Sequence, residues 1–175
     1  MSEPTSILLL HGFGGSGEGS VKLLEQSLRE RGWTHARIFR PTIQVVHQVG
    51  LDLPVDQRFM RALQEVEGFL GGRIPHLVCG LSYGGLLAAF APARARLSVC
   101  SPWQQLPPAA LQKAAERQEG WSVLQGVKDD VVLAEPALAA LPAGVHRTLD
   151  PEGTHGFDDW MDRIADWAVE RWRLS

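Results

Sequence analysis

The 175-residue sequence predicts an α/β fold, a doubly wound and mostly parallel six-stranded sheet with helices on both faces. Three observations lead there. Short apolar runs such as residues 7–10 and 76–81 are too brief for helices and lack the alternation of a half-exposed strand, so they read as strands covered on both sides. Between such runs stand longer stretches with apolar residues at helical spacing. The two kinds alternate along the chain, which calls for parallel strands joined by right-handed crossovers. The length and a hydrophobic content of 45% suit one domain, residues 1–175, with one sizeable core.

The first strand, residues 7–10, runs straight into His11-Gly12-Phe13-Gly14-Gly15-Ser16-Gly17. A glycine-rich loop after a strand could cradle a phosphate. This one lacks the Gly-Lys-Ser/Thr ending of a P-loop and the glycine spacing of the dinucleotide fingerprint, so backbone N–H groups offered to an oxyanion suit it better. Residues 20–31 form an amphipathic helix with Val21, Leu24 and Leu28 on one side, closed by Gly32. Residues 36–40 are the second strand, stopped by Pro41. The loop 41–52 is long, rather apolar and expected at the same sheet edge as the serine discussed below; His47 within it has no companion suggesting catalysis.

Residues 54–70 read as a strong helix, with Val55, Phe59, Leu63, Val66 and Leu70 at helical spacing and Gly71-Gly72 ending it. The third strand, 76–81, passes into a helix that ends before Pro92. A fourth strand at 97–100, a helix at 108–119, a fifth strand at 121–125, a short helix at 136–141, a sixth strand at 145–149 and a closing helix at 158–172 complete the chain. Trp160, Trp167 and Trp172 on that last helix are expected to pack rather than to meet a ligand.

Several function classes fall away. The formal charge of −3 gives no electrostatic reason to expect nucleic acid or an anionic membrane. No apolar run approaches a membrane span, and a four-residue run preceded by Glu3 and no basic residue does not read as a signal peptide, so a cytoplasmic location is expected. Cys79 and Cys100 fall in strand-like runs and read as buried free thiols of a reducing compartment rather than a redox pair. No His, Cys or acidic cluster has metal-site spacing, and no cofactor is expected.

What remains is nucleophile chemistry. Gly80-Leu81-Ser82-Tyr83-Gly84 stands where the third strand becomes a helix. A serine there must take a strained, positive-φ conformation to project its hydroxyl from the sheet edge, and neighbours two residues away must lack a Cβ to permit the turn. The helix behind it points its N-terminal amides at the same place. A serine needs a base. His35, His76 and His146 begin strands and lie at the wrong edge, which leaves His11, His47 and His155. His155, between Gly153 and Gly156 after the sixth strand, is free to swing toward a partner, whereas His11 in the glycine loop is better suited to fixing that loop. The imidazole needs an orienting carboxylate, and Asp129-Asp130 after the fifth strand offers two.

Together these segments resemble the α/β-hydrolase superfamily, in its compact, lidless carboxylesterase and small serine hydrolase form. The matching pieces are His11-Gly12-Phe13-Gly14-Gly15, Gly80-Leu81-Ser82-Tyr83-Gly84-Gly85, Gly126-x-x-Asp129-x-x-Val132 and His155-Gly156-Phe157. The resemblance implies Ser82 as nucleophile, His155 as general base and acid, Asp129 rather than Asp130 as orienting acid, and the backbone N–H groups of Phe13 and Tyr83 as the oxyanion hole. It further implies strand order 2-1-3-4-5-6 without the antiparallel hairpin that opens larger members. Only about twenty residues separate the fourth and fifth strands, too few for a lid.

The expected substrate is therefore a small-molecule ester or thioester, cleaved through an acyl-enzyme. Thioesterase or amidase activity on the same machinery, or a silent binding protein keeping the pocket, are the competing readings. His11, Trp103 and Gln104 are candidate substrate contacts, Trp103 being equally readable as a core residue.

Overall fold

In the computed structural model, which describes residues 5–117 and 120–173, six strands form one sheet in the order β2-β1-β3-β4-β5-β6, every neighbouring pair parallel. The strands are β1 (Ser6–Leu10), β2 (Arg37–Phe39), β3 (Leu77–Leu81), β4 (Ala95–Val99), β5 (Gly120–Gly126) and β6 (His146–Asp150). The central strands β3 and β4 are buried at every position, which is why β3 reads as an apolar run rather than as an alternating pattern; β4 buries Arg96 and Ser98 as well, both hydrogen-bonded to backbone carbonyls.

Helices cover both faces. On one side α1 (Ser20–Glu30) and α7 (Met161–Arg173) pack on Ile7, Leu9, Cys79, Leu97 and Val99. On the other, α3 (Val55–Leu70), α4 (Tyr83–Phe90), α5 (Pro108–Ala115) and α6 (Ala134–Ala139) pack on Leu8, Leu10, Val78 and Val123, together with the short α2 (Gln44–His47). Trp160 and Trp167 are buried in the first of these layers and Trp172 packs against it, as their spacing predicts.

The structure departs from the sequence expectations in four places. The loop 41–52 contains α2, whose first amides are held by both oxygens of Glu65: Gln44 N–H donates at 2.5 Å and Val45 N–H at 3.0 Å. The inward stripe of α3 is Phe59, Ala62, Val66 and Leu70 with Arg58 beside it, so Val55 is half-exposed. The helix at 108–119 stops at Ala115, and its expected end at 118–119 lies outside the described residues. The closing helix begins with a separate 3-10 turn, Phe157–Trp160, in which Trp160 donates its indole N–H to Thr154 O at 3.0 Å. Between β4 and β5 the described residues hold only a 3-10 turn at Trp103–Gln105 and α5. No described helix is long and apolar enough to cross a membrane.

Candidate active site

The carboxyl ends of the parallel strands gather the candidate residues. Ser82 joins β3 directly to α4 at φ 51° and ψ −120°, the strained conformation a serine elbow requires. Backbone packing enforces it: a Cβ on Gly80 would collide with Gly84 O, and one on Gly84 with Leu10 O and, at 2.6 Å, with His11 O. Ser82 N–H donates to Val99 O at 2.8 Å and its carbonyl accepts from Gly85 N–H at 2.9 Å, fixing the turn to β4 and to α4.

The Ser82 hydroxyl lies 3.0 Å from His155 Nε2, and His155 Nδ1 lies 2.9 Å from Asp129 Oδ2. The other Asp129 oxygen accepts from Val131 N–H at 2.9 Å and Val132 N–H at 2.7 Å. A carboxylate only accepts, so Nδ1 carries the ring proton and Nε2 is left to take one from the serine. Asp129 is buried. Burial pushes its carboxyl up, but the hydrogen bond from His155 and that from the Val132 N–H outweigh it and hold the group below the ordinary aspartate value. Asp130 is exposed and bonds to none of these groups.

The glycine loop lies alongside. A Cβ on Gly12 would stand 3.1 Å from the Ser82 Cβ, so the Gly12–Phe13 backbone runs close beside the nucleophile. Tyr83 is the first residue of α4, and among the described residues neither the Phe13 nor the Tyr83 N–H donates to another backbone group. Three bonds brace the loop on the α2 segment: Gly14 N–H to Val46 O at 2.9 Å, His47 Nδ1–H to Gly15 O at 2.7 Å, and Ile43 N–H to His11 Nε2 at 2.8 Å. His47 thus holds the loop.

Two of the expected substrate contacts, His11 and Trp103, are held inside the fold. His11 is almost wholly buried, with Nε2 taken by Ile43 and Nδ1–H donated to Gly12 O at 2.8 Å, so neither ring nitrogen is available to a ligand. Desolvation, the largest influence on its pKa, pushes the imidazole below its ordinary value. Trp103 is fully buried and packs edge-on against Trp121 of β5 with ring centroids 5.0 Å apart; it is a core residue. Gln104, exposed beside it, does line the cleft.

That cleft, of about 640 Å³, opens on Ser82 and His155 between Phe13, Leu53, Val55 and Val131, while a smaller recess of about 170 Å³ lies on the glycine-loop side of the serine. Two residues near the site have no motif to announce them. Arg58 lines the cleft from within the α3 stripe, where only the presence of a charge on a buried helical face signals it. Cys100, at φ 45°, accepts from Gly126 N–H at 3.3 Å and interacts with Asp129; burial pushes its thiol up. Both cysteines are free and buried. Among the described residues no group of three His, Cys, Asp or Glu side chains could hold a metal ion.

No family model and no curated protein matches the chain. Solved structures match over nearly its whole length. It is similar to mouse alpha/beta hydrolase domain-containing protein 10 (TM-score 0.72, 13% identity, covering 99% of this chain and 92% of that one). It is similar also to an alpha-beta serine hydrolase homologue from Coxiella burnetii (0.70, 16%, 98% and 86%) and to Arabidopsis thaliana SOBER1 (0.69, 21%, 96% and 99%). At these identities the likeness speaks to architecture, and the α/β-hydrolase fold implied by the motifs is the fold this chain has.

Proposed function

We propose that the chain is a serine hydrolase that cleaves carboxylic esters of small molecules through an acyl-enzyme. The observation that carries this reading is the continuous contact from Asp129 through His155 to the Ser82 hydroxyl, at 2.9 and 3.0 Å, on a strained elbow at the mouth of a cleft. Ser82 Oγ attacks the ester carbonyl carbon while His155 Nε2 takes its proton. The carbonyl oxygen, now negative, is held by the Phe13 and Tyr83 N–H groups, with the amino end of α4 adding favourable dipoles. His155 returns the proton to the departing alcohol, and a water activated by the same imidazole then frees the acid. Asp129 keeps the ring in the productive tautomer and stabilises its cationic form. No step calls on a cofactor. Two free, buried thiols suit a reducing compartment, which supports a cytoplasmic location.

The test is turnover of short activated esters by the wild type and by Ser82→Ala. Hydrolysis that disappears in a folded Ser82→Ala protein supports the reading; equal turnover by both removes Ser82 from the chemistry. Matched thioesters and amides in the same panel decide which acyl derivative is preferred.

A further inference from the structure

The cleft beside Ser82 is lined by charge of one sign only. Beyond Ser82 and His155, the polar side chains facing it belong to Arg58, Tyr83, Gln104 and Gln105, and no carboxylate lines it. Every one of these groups donates hydrogen bonds, and the only charge among the four is positive.

Arg58 is the unusual member. Only 8% exposed, it donates through Nη1 to Val45 O at 2.8 Å and Gln48 O at 3.4 Å, and through Nη2 to Leu51 O. Its guanidinium carbon lies 4.9 Å from the centroid of the Phe13 ring. These partners satisfy N–H groups but bring no negative charge, and among the described residues no carboxylate stands within ion-pair distance. Arg31 and Arg40, by contrast, each pair with two acidic residues. A buried cation without a counter-charge is costly, and a neutral donor would anchor the same carbonyls more cheaply. What the charge adds is attraction for an anion entering the cleft, and the planar fork of arginine matches a carboxylate. Tyr83, directly after the nucleophile, lines the same cleft; its buried hydroxyl has no hydrogen-bond partner among the described residues. Burial pushes that phenol up to about 12, partly offset by Arg58, so it stays protonated and able to donate.

We propose that the site selects esters that also bear a carboxylate, held in the cleft by the Arg58 guanidinium with the Tyr83 hydroxyl as a second donor. The apolar walls of Phe13, Leu53, Val55 and Val131 take the methylene chain between that carboxylate and the reacting carbonyl. A volume of 640 Å³ accommodates such a chain of several carbons. The inference rests on the esterase reading above and narrows its substrate class.

The experiment compares charged and neutral partners of equal length on wild type, Arg58→Gln and Arg58→Lys. One arm puts the carboxylate on the acyl half: the para-nitrophenyl monoester of adipic acid against para-nitrophenyl hexanoate. A second puts it on the leaving group: para-butanoyloxybenzoate against phenyl butanoate. In one arm the charged-to-neutral ratio of kcat/KM should fall by about tenfold to a hundredfold in Arg58→Gln, the loss expected for hydrogen bonds to a charged group, and be partly kept in Arg58→Lys. A ratio that Arg58→Gln leaves unchanged in both arms reduces Arg58 to an anchor for residues 45–51. A third measurement needs neither turnover nor variants: calorimetric titration of the wild type with adipic acid monoamide and with hexanamide. Tighter binding of the monoamide supports the anion site even if every ester proves inert, which would sink the esterase reading alone. Equal binding of the two amides overturns the anion site while leaving the esterase intact.

Discussion

The Asp129→Asn substitution replaces one oxygen by an NH2 group, and the geometry says how the amide must sit. Asp129 Oδ1 accepts from two backbone N–H groups, of Val131 at 2.9 Å and Val132 at 2.7 Å. An asparagine keeps both bonds only with its oxygen in that position, because an NH2 there would face two donors. The NH2 is thereby aimed at His155 Nδ1, which must become an acceptor. The ring proton moves to Nε2, where it faces the Ser82 hydroxyl at 3.0 Å and blocks proton removal. The fold is retained and the tautomer is wrong, a combination that lowers kcat by about four powers of ten, or roughly 5 kcal/mol of transition-state stabilisation. The assay is kcat on an activated ester, with thermal unfolding as the control. Asp130→Asn, at an exposed position outside the relay, should stay within about threefold of wild type, as surface substitutions generally do. A loss below about tenfold in Asp129→Asn, or a larger loss in Asp130→Asn, would refute the tautomer argument.

Two further predictions concern the scaffold. Gly84→Ala drives a Cβ against the Leu10 and His11 carbonyls, so it should destabilise the fold by about 1–3 kcal/mol and depress kcat by displacing the elbow; wild-type melting and turnover together would contradict that packing. His11 has a folded-state pKa below its ordinary 6.5, chiefly through desolvation, against weaker raising effects from Gly12 O and Glu65 and a further lowering by His47. The unfolded chain therefore binds a proton that the folded chain refuses, and stability must fall as pH drops below about 6.5. Denaturant titrations between about pH 7 and 5 should show a shallower decline in His11→Asn than in wild type, since asparagine does not titrate; parallel slopes would assign the pH dependence to other groups.

The Asp129–His155–Ser82 contacts are legible in the sequence because each part carries local constraints that short patterns express. A serine elbow needs glycines at 80 and 84, and the histidine and aspartate must follow strands at the same sheet edge. Choosing Asp129 over Asp130 took the family pattern, since two adjacent acids in a turn have no periodicity to separate them. The parts that escaped depend on tertiary neighbours. Four residues of α2 are too few for periodicity, and the carboxylate that caps them comes from Glu65, a helix away. Trp103 could face cleft or core; the ring of Trp121 on the neighbouring strand decides for the core. The α3 pattern admits two nearby stripes, one through Val55 and Leu63 and the one actually buried through Phe59, Ala62 and Val66, and only packing against the sheet shows that Arg58 turns inward.

In the proposed mechanism Ser82 is a nucleophile made reactive by its neighbours. Incubating the protein with a fluorophosphonate and locating the adduct by peptide mass spectrometry tests it most directly. One stoichiometric adduct on Ser82 is expected, slowed severely in Asp129→Asn and absent in Ser82→Ala. An adduct on another residue, or labelling that persists in Ser82→Ala, would contradict it.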